Sequence, residues 1–198
     1  MKILLSGFEP FGKLLTNASW EAIKLVADRP GKNIAVHKMI LPVEYERCAD
    51  LLLDTVQRLR PDAVLCVGVA AKRRSLTPEY LAINVKDSTS PDNAGRVCLY
   101  DKIVDEGDAV LYTNLPLAET VNAILSAGVP CEASFDAGTY VCNNLFYRLM
   151  YDIKYSARKL YGGFLHVPPE SEVSSKDTAR AIEAVLLMLA DKGPMINN

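Results

Sequence analysis

Short apolar runs alternate with amphipathic stretches along the whole chain. Residues 2–6 (Lys-Ile-Leu-Leu-Ser), 34–41 (Ile-Ala-Val-His-Lys-Met-Ile-Leu) and 62–68 (Asp-Ala-Val-Leu-Cys-Val-Gly) read as strands, the last as a buried parallel strand ending on glycine. Between them, Asn17 or Ser19 is placed to cap a helix near 19–28, and Cys48, Leu51, Leu52, Val56 and Leu59 recur at helical spacing. Residues 80–85 and 110–112 read as short strands around a polar, turn-rich excursion over 86–108. Leu117, Val121, Ile124 and Leu125 mark a helix ended by Gly128, and 130–135 reads as another strand. Gly138 then opens a helix carrying Cys142, Leu145, Phe146, Leu149, Met150 and Ile153. A strand over 163–167 is closed by Pro168-Pro169, and Ala181, Ile182, Val185, Leu186, Met188 and Leu189 define the last helix.

Strands alternating with amphipathic helices predict an α/β fold, a three-layer α/β/α sandwich on a mostly parallel central sheet. No repeat or linker interrupts it, so residues 1–198 are expected to form a single domain. In such sheets ligands bind beyond the carboxyl ends of the strands. That rule directs attention to 7–12, 68–73, 136–142 and 166–169.

Composition changes this picture mainly by exclusion. Of 198 residues, 22 are Lys or Arg and 24 are Asp or Glu, a net charge of −2. A nucleic-acid partner is not expected, because no basic excess exists to neutralise phosphates. The three-residue apolar run at the N-terminus meets Glu9 and Pro10, too short for a signal peptide, and no stretch approaches a membrane span. Five cysteines without CxxC spacing imply reduced thiols in the cytoplasm. With only His37 and His166, a histidine-rich metal site is not expected. Gly68-Val69-Ala70-Ala71-Lys72-Arg73 lacks the GxxxxGK[ST] pattern of a phosphate loop.

The remaining chemistry lies in three places. With Asp136 or Thr139 as cap, Cys142 falls in the first turn of its helix, where the dipole and free N–H groups favour a thiolate. Its phase with Leu145, Phe146 and Leu149 fits an inert core thiol as well. His166 ends a strand and is followed by two prolines, so its ring reads either as presented at the sheet's carboxyl edge or as a hydrogen-bonded core imidazole. His37 lies mid-strand and reads as structural or exposed. Glu79 precedes an apolar strand, as either a buried acid or a solvated turn residue. A Cys–His pair becomes a nucleophile and base when a third group orients the imidazole.

These segments, in this order, resemble pyroglutamyl peptidase I (pyrrolidone-carboxylate peptidase), a family of cysteine peptidases. The resemblance is carried by GFEPFG at 7–12, the glycine-rich turn from Gly68 to Arg73, Glu79-Tyr80-Leu81-Ala82-Ile83-Asn84 followed by Pro91-Asp92-Asn93, Ala137-Gly138-Thr139-Tyr140-Val141-Cys142-Asn143, and Gly163-Phe164-Leu165-His166-Val167-Pro168. It implies a Cys142–His166–Glu79 triad that removes N-terminal pyroglutamyl residues from peptides. It further implies a pocket lined by Phe8, Phe11, Tyr140 and Val141, no metal or organic cofactor, and a homotetramer. The alternatives are an inactive homologue that binds pyroglutamyl ends, a hydrolase of another small cyclic amide on the same scaffold, and a phosphorylase-like enzyme on a related layered fold. The chain departs from the family pattern at Val69, where many members carry Gln, at Lys72, where a second Gly is usual, at Thr89, which replaces an Arg, and at Pro169.

Overall fold

The structure is a computed structural model that describes residues 1–156 and 158–195. Its core is a five-stranded sheet. Strands β1 (Lys2–Phe8), β2 (Ala35–Leu41), β3 (Ala63–Val69) and β9 (Tyr161–Val167) are parallel, and the two-residue β4 (Thr77–Pro78) runs antiparallel at the edge. The spatial order is β2-β1-β3-β9-β4. The remaining strands form two small pairs outside it. β5 (Leu81–Ile83) pairs with β8 (Val110–Tyr112), and β6 (Lys86–Ser88) with β7 (Cys98–Asp101).

Helices α2 (Tyr45–Leu59) and α4 (Val141–Tyr155) cover one face; α1 (Ala18–Leu25), α3 (Leu117–Ser126) and α5 (Ser175–Lys192) cover the other. The alternation of strand side chains explains this division. Leu4, Val64, Cys66 and Phe164 pack toward α2 and α4, while Ile3, Leu5, Leu65, Val67 and Leu165 pack toward α1, α3 and α5. Because both faces are covered, β1, β3 and β9 are buried along nearly all of their length and are largely apolar. The buried stripe of α2 is Cys48, Leu52 and Val56; each large aliphatic side chain so buried stabilises the fold by about 1.5–3 kcal/mol. Leu51, in helical phase by sequence, faces outward, as does Leu125 on α3.

Four expectations change. Residues 130–135 form no strand; they make only isolated bridges at Cys131 and Ser134, to Leu76 and Glu79. The facing segment 76–80 exchanges four backbone hydrogen bonds with them, but Pro78 has no N–H to give at the centre, so the pairing is left as two separate bridges. The polar excursion over 86–108 contains the β6–β7 hairpin, and the 80–85 strand is shortened to β5, outside the main sheet. Asn17 does cap α1, its Oδ1 accepting from the Ser19 N–H at 3.1 Å, and Gly128 follows α3 with φ +75°. Neither Asp136 nor Thr139 caps α4: its N-cap residue is Tyr140, with no side-chain cap. Asp136 accepts instead from the Gly138 N–H at 2.8 Å, and the Thr139 hydroxyl donates to the Asp87 carbonyl at 2.5 Å.

Candidate active site

The parallel strands place their carboxyl ends together, and three chemistry-bearing side chains meet above them. His166 is the penultimate residue of β9 and pairs in register with Gly68 of β3 on one side and Thr77 of β4 on the other. It shares a face with Phe164, two residues earlier, so its ring points to the α4 side; the two rings are 4.8 Å apart. Cys142 is the second residue of α4. A β-carbon on Gly68 would stand 2.8 Å from its Sγ and 2.8 Å from Cζ of Phe164. The thiol therefore lies directly over Gly68, beside the strand position that carries His166.

Glu79 completes the arrangement. It follows β4 immediately, held by its N–H donating to the Phe164 carbonyl at 2.9 Å. Glu79 is 1% exposed and His166 5%. Oε1 of Glu79 is 2.7 Å from Nδ1 of His166. An ionised carboxylate only accepts, so Nδ1 carries the hydrogen and Nε2 is the free base. Oε2 of Glu79 is buried with no partner among the described residues. Oε1 also accepts from Nη1 of Arg73, whose guanidinium reaches the hydroxyl of Thr77 and, through Nη2, the carbonyl of Asp136 at 2.6 Å.

Electrostatics correct one expectation. Burial pushes the Cys142 thiol up to about 12, helped by the nearby Glu79 charge and by Cys66, with Arg73 opposing. Burial likewise lowers His166, against the hydrogen bond that its Nδ1–H donates to Glu79. The first-turn dipole, worth roughly 0.3–1 kcal/mol, does not offset this desolvation. In the free protein the pair rests as thiol and neutral imidazole.

Next to the thiol is a narrow apolar cavity lined by Phe8, Phe11, Asn17, Val43, Val69, Tyr140, Val141 and Cys142. The four aromatic and aliphatic residues expected from the sequence are all present. Asn17, Val43 and Val69 were not expected in the lining. Asn17 Oδ1 accepts from the Ser19 N–H and hydroxyl, and Nδ2 gives one hydrogen to the Glu9 carbonyl at 2.9 Å, which leaves the amide a second hydrogen to donate. No charged side chain lines the cavity. His37 stands exposed on β2. Thr89 is exposed after β6, and the nearby loop is anchored by Asp92, which accepts from the backbone N–H groups of Tyr45, Ala94 and Arg96. Among the described residues, no cluster of three His, Cys, Asp or Glu side chains is placed to hold a metal, and no helix is long and apolar enough to cross a membrane.

The family model described as pyroglutamyl peptidase matches residues 1–189. The chain belongs to the pyroglutamyl peptidase family. A pyrrolidone-carboxylate peptidase of Streptomyces coelicolor is 40% identical, over 91% of this chain and 84% of that protein. One from Bacillus licheniformis is 34% identical, over 93% of this chain and 87% of its own length. Among solved structures, pyroglutamyl peptidase I from Bacillus amyloliquefaciens superposes with a TM-score of 0.93 at 32% identity, covering 100% of this chain and 98% of that one. A mutant pyrrolidone carboxyl peptidase from Pyrococcus furiosus gives 0.92 at 25% identity, covering 98% and 100%. The family fold is thus an α/β/α sandwich on a mostly parallel sheet.

Proposed function

We propose that this chain hydrolyses the bond after an N-terminal pyroglutamyl residue of peptides, with Cys142 as nucleophile, His166 as general base and acid, and Glu79 as the group that orients the imidazole. The observation that carries this reading is the buried Glu79–His166 hydrogen bond beside a thiol seated over Gly68, at the mouth of an uncharged apolar cavity.

The chemistry follows from the geometry. His166 Nε2 takes the Cys142 proton as Sγ bonds to the scissile carbonyl carbon, so the neutral resting pair becomes ionic only as the bond forms. The carbonyl oxygen becomes an oxyanion. The first N–H groups of α4 lack intrahelical acceptors by position, which suits them to receive it. As the carbon–nitrogen bond breaks, the imidazolium returns its proton to the leaving amine. Water then attacks the thioacyl carbonyl as His166 takes its proton, and when the carbon–sulfur bond breaks the imidazolium gives that proton to sulfur and restores the thiol. Glu79 compensates the imidazolium charge during both steps.

The cavity suits the substrate class. Pyroglutamate is a neutral lactam with no ammonium group. Phe8, Phe11, Tyr140 and Val141, with Val43 and Val69, offer its ring an apolar wall, leaving the lactam N–H and C=O to backbone partners. A peptide with a free N-terminal ammonium would have to bury a charge without a counter-ion, which costs several kcal/mol.

All five cysteines are free, in keeping with a cytoplasmic enzyme. A homotetramer is part of the same proposal, supported by family resemblance and by the exposed Val97, Leu99 and Tyr100 about the β6–β7 hairpin. Release of a fluorescent amine from a pyroglutamyl amide tests the activity. Turnover by the wild type, lost in Cys142→Ser, is expected; no turnover by reduced, folded protein would favour the non-catalytic binding alternative.

A further inference from the structure

We infer that Arg73 is a positioning residue for the reaction: its guanidinium balances the buried Glu79 carboxylate and fixes it against His166 while tying down the segment that leads into the nucleophile's helix. The inference rests on the reading that Glu79 and His166 act as a catalytic pair.

Glu79 is buried, and among the described residues one of its oxygens has no partner. Among the described residues, Arg73 and His166 are the two cationic groups within ion-pair reach of it. While His166 is neutral, Arg73 alone balances the carboxylate, and an unbalanced buried carboxylate is costly. The planar fork joins three groups on two segments. It reaches Glu79 and Thr77 at the edge of the sheet, and the Asp136 carbonyl in the loop before Tyr140 and Cys142. A single-point cation has no equivalent reach. Thr77 is itself the strand neighbour of His166, so the guanidinium, the carboxylate and the imidazole form one continuous array.

The consequence is electrostatic. Groups bearing on the imidazole are Glu79 after β4, Arg73 from the β3–β4 connection, Asp136 from the loop before α4, and the Cys142 thiol at the start of α4 with Cys66 behind it on β3. Glu79 and Asp136 favour the protonated ring; Arg73 opposes it. Removing the guanidinium leaves the carboxylate free to hold a proton on the ring, and the base is lost at a higher pH.

The test is the titration of His166 by NMR on the isotope-labelled full chain. With only two histidines, the other signal is assigned by His37→Gln. In Arg73→Gln, which keeps a hydrogen-bond donor but no charge, the His166 midpoint is expected to rise by about one pH unit. The acid limb of kcat/KM for a pyroglutamyl amide should move with it. Arg73→Lys, which keeps charge on a single-point donor, should give a smaller rise. A folded Gln variant with an unmoved midpoint overturns the proposal, even if its activity falls. Should the Gln variant not fold, a Lys variant whose kcat/KM falls equally at every pH, with the midpoint unmoved, overturns it as well. Because the imidazole is read without turnover, absence of pyroglutamyl hydrolysis would sink the functional reading separately.

Discussion

The Sγ of Cys142 lies 2.8 Å from where a β-carbon on Gly68 would stand, so the thiol occupies the space that the glycine leaves open on β3. Phe164 Cζ is equally close to that position. A helix start and a strand end meet here with no side chain between them, and that close approach brings the thiol beside His166. Gly68→Ala should push Cys142 off its position and abolish most activity, while overpacking costs about 1–3 kcal/mol of stability. Steady-state kinetics beside a urea melt check this; an alanine variant with wild-type kcat/KM would contradict the placement.

Glu79→Gln removes the charge but keeps the shape. An amide oxygen can still accept from Nδ1, but it gives the imidazolium no counter-charge. We expect kcat to fall by about 10²-fold or more, with KM little changed, since the effect lies in the proton-transfer step. Equal loss through KM alone would indicate a binding role for Glu79.

The pH dependence follows from burial. His166 is lowered from 6.5, so the neutral base persists on the acid side of that value and the acid limb of kcat/KM should lie below pH 6.5. The stability sign is the same as for any buried neutral histidine. Above the unfolded value neither state binds the proton; as pH falls below about 6.5, the unfolded chain takes it up first and stability is lost down to the folded value. That loss should be smaller in His166→Gln, by denaturant melts at two pH values. Cys142, raised to about 12, should give no thiolate absorbance step near neutral pH in the free enzyme.

The uncharged cavity makes a specificity prediction. A prolyl amide matches the ring of pyroglutamate but carries a charged amine, and should be turned over at least about 10³-fold more slowly, from the cost of burying an unpaired charge. Phe11→Ala should lower kcat/KM for the pyroglutamyl amide by roughly tenfold or more through lost apolar burial. Comparable rates on the two amides would mean that the ring binds elsewhere.

The parts of this architecture buried on both faces are the parts most legible in the sequence. β1, β3 and β9 are largely apolar because helices cover both sides, and the carboxyl-edge rule then points to His166; it points to Cys142 only through the strand expected at 130–135, which does not form. Segments 86–88 and 98–101 pair without an apolar alternation, so their hairpin is invisible to periodicity. β4 is two residues with a proline, held by its neighbours rather than by propensity. The strand expected at 130–135 faces 76–80, where Pro78 lacks the N–H that would make the pairing continuous. Arg73 carries no local signal either: its role depends on bringing Thr77, Glu79 and Asp136 to one place, which only the tertiary fold does. Asn17 is readable as a cap, whereas its position in the cavity wall follows from α1 packing beside the end of β1.

The central claim is that Cys142 becomes acylated by the pyroglutamyl group. Wild-type enzyme mixed with excess pyroglutamyl amide, quenched in acid within one turnover and digested, should yield a Cys142-containing peptide heavier by one pyroglutamyl group. Cys142→Ser should lack both that adduct and amine release. Turnover that persists in the serine variant, or an acyl group recovered on a different residue, would contradict the account.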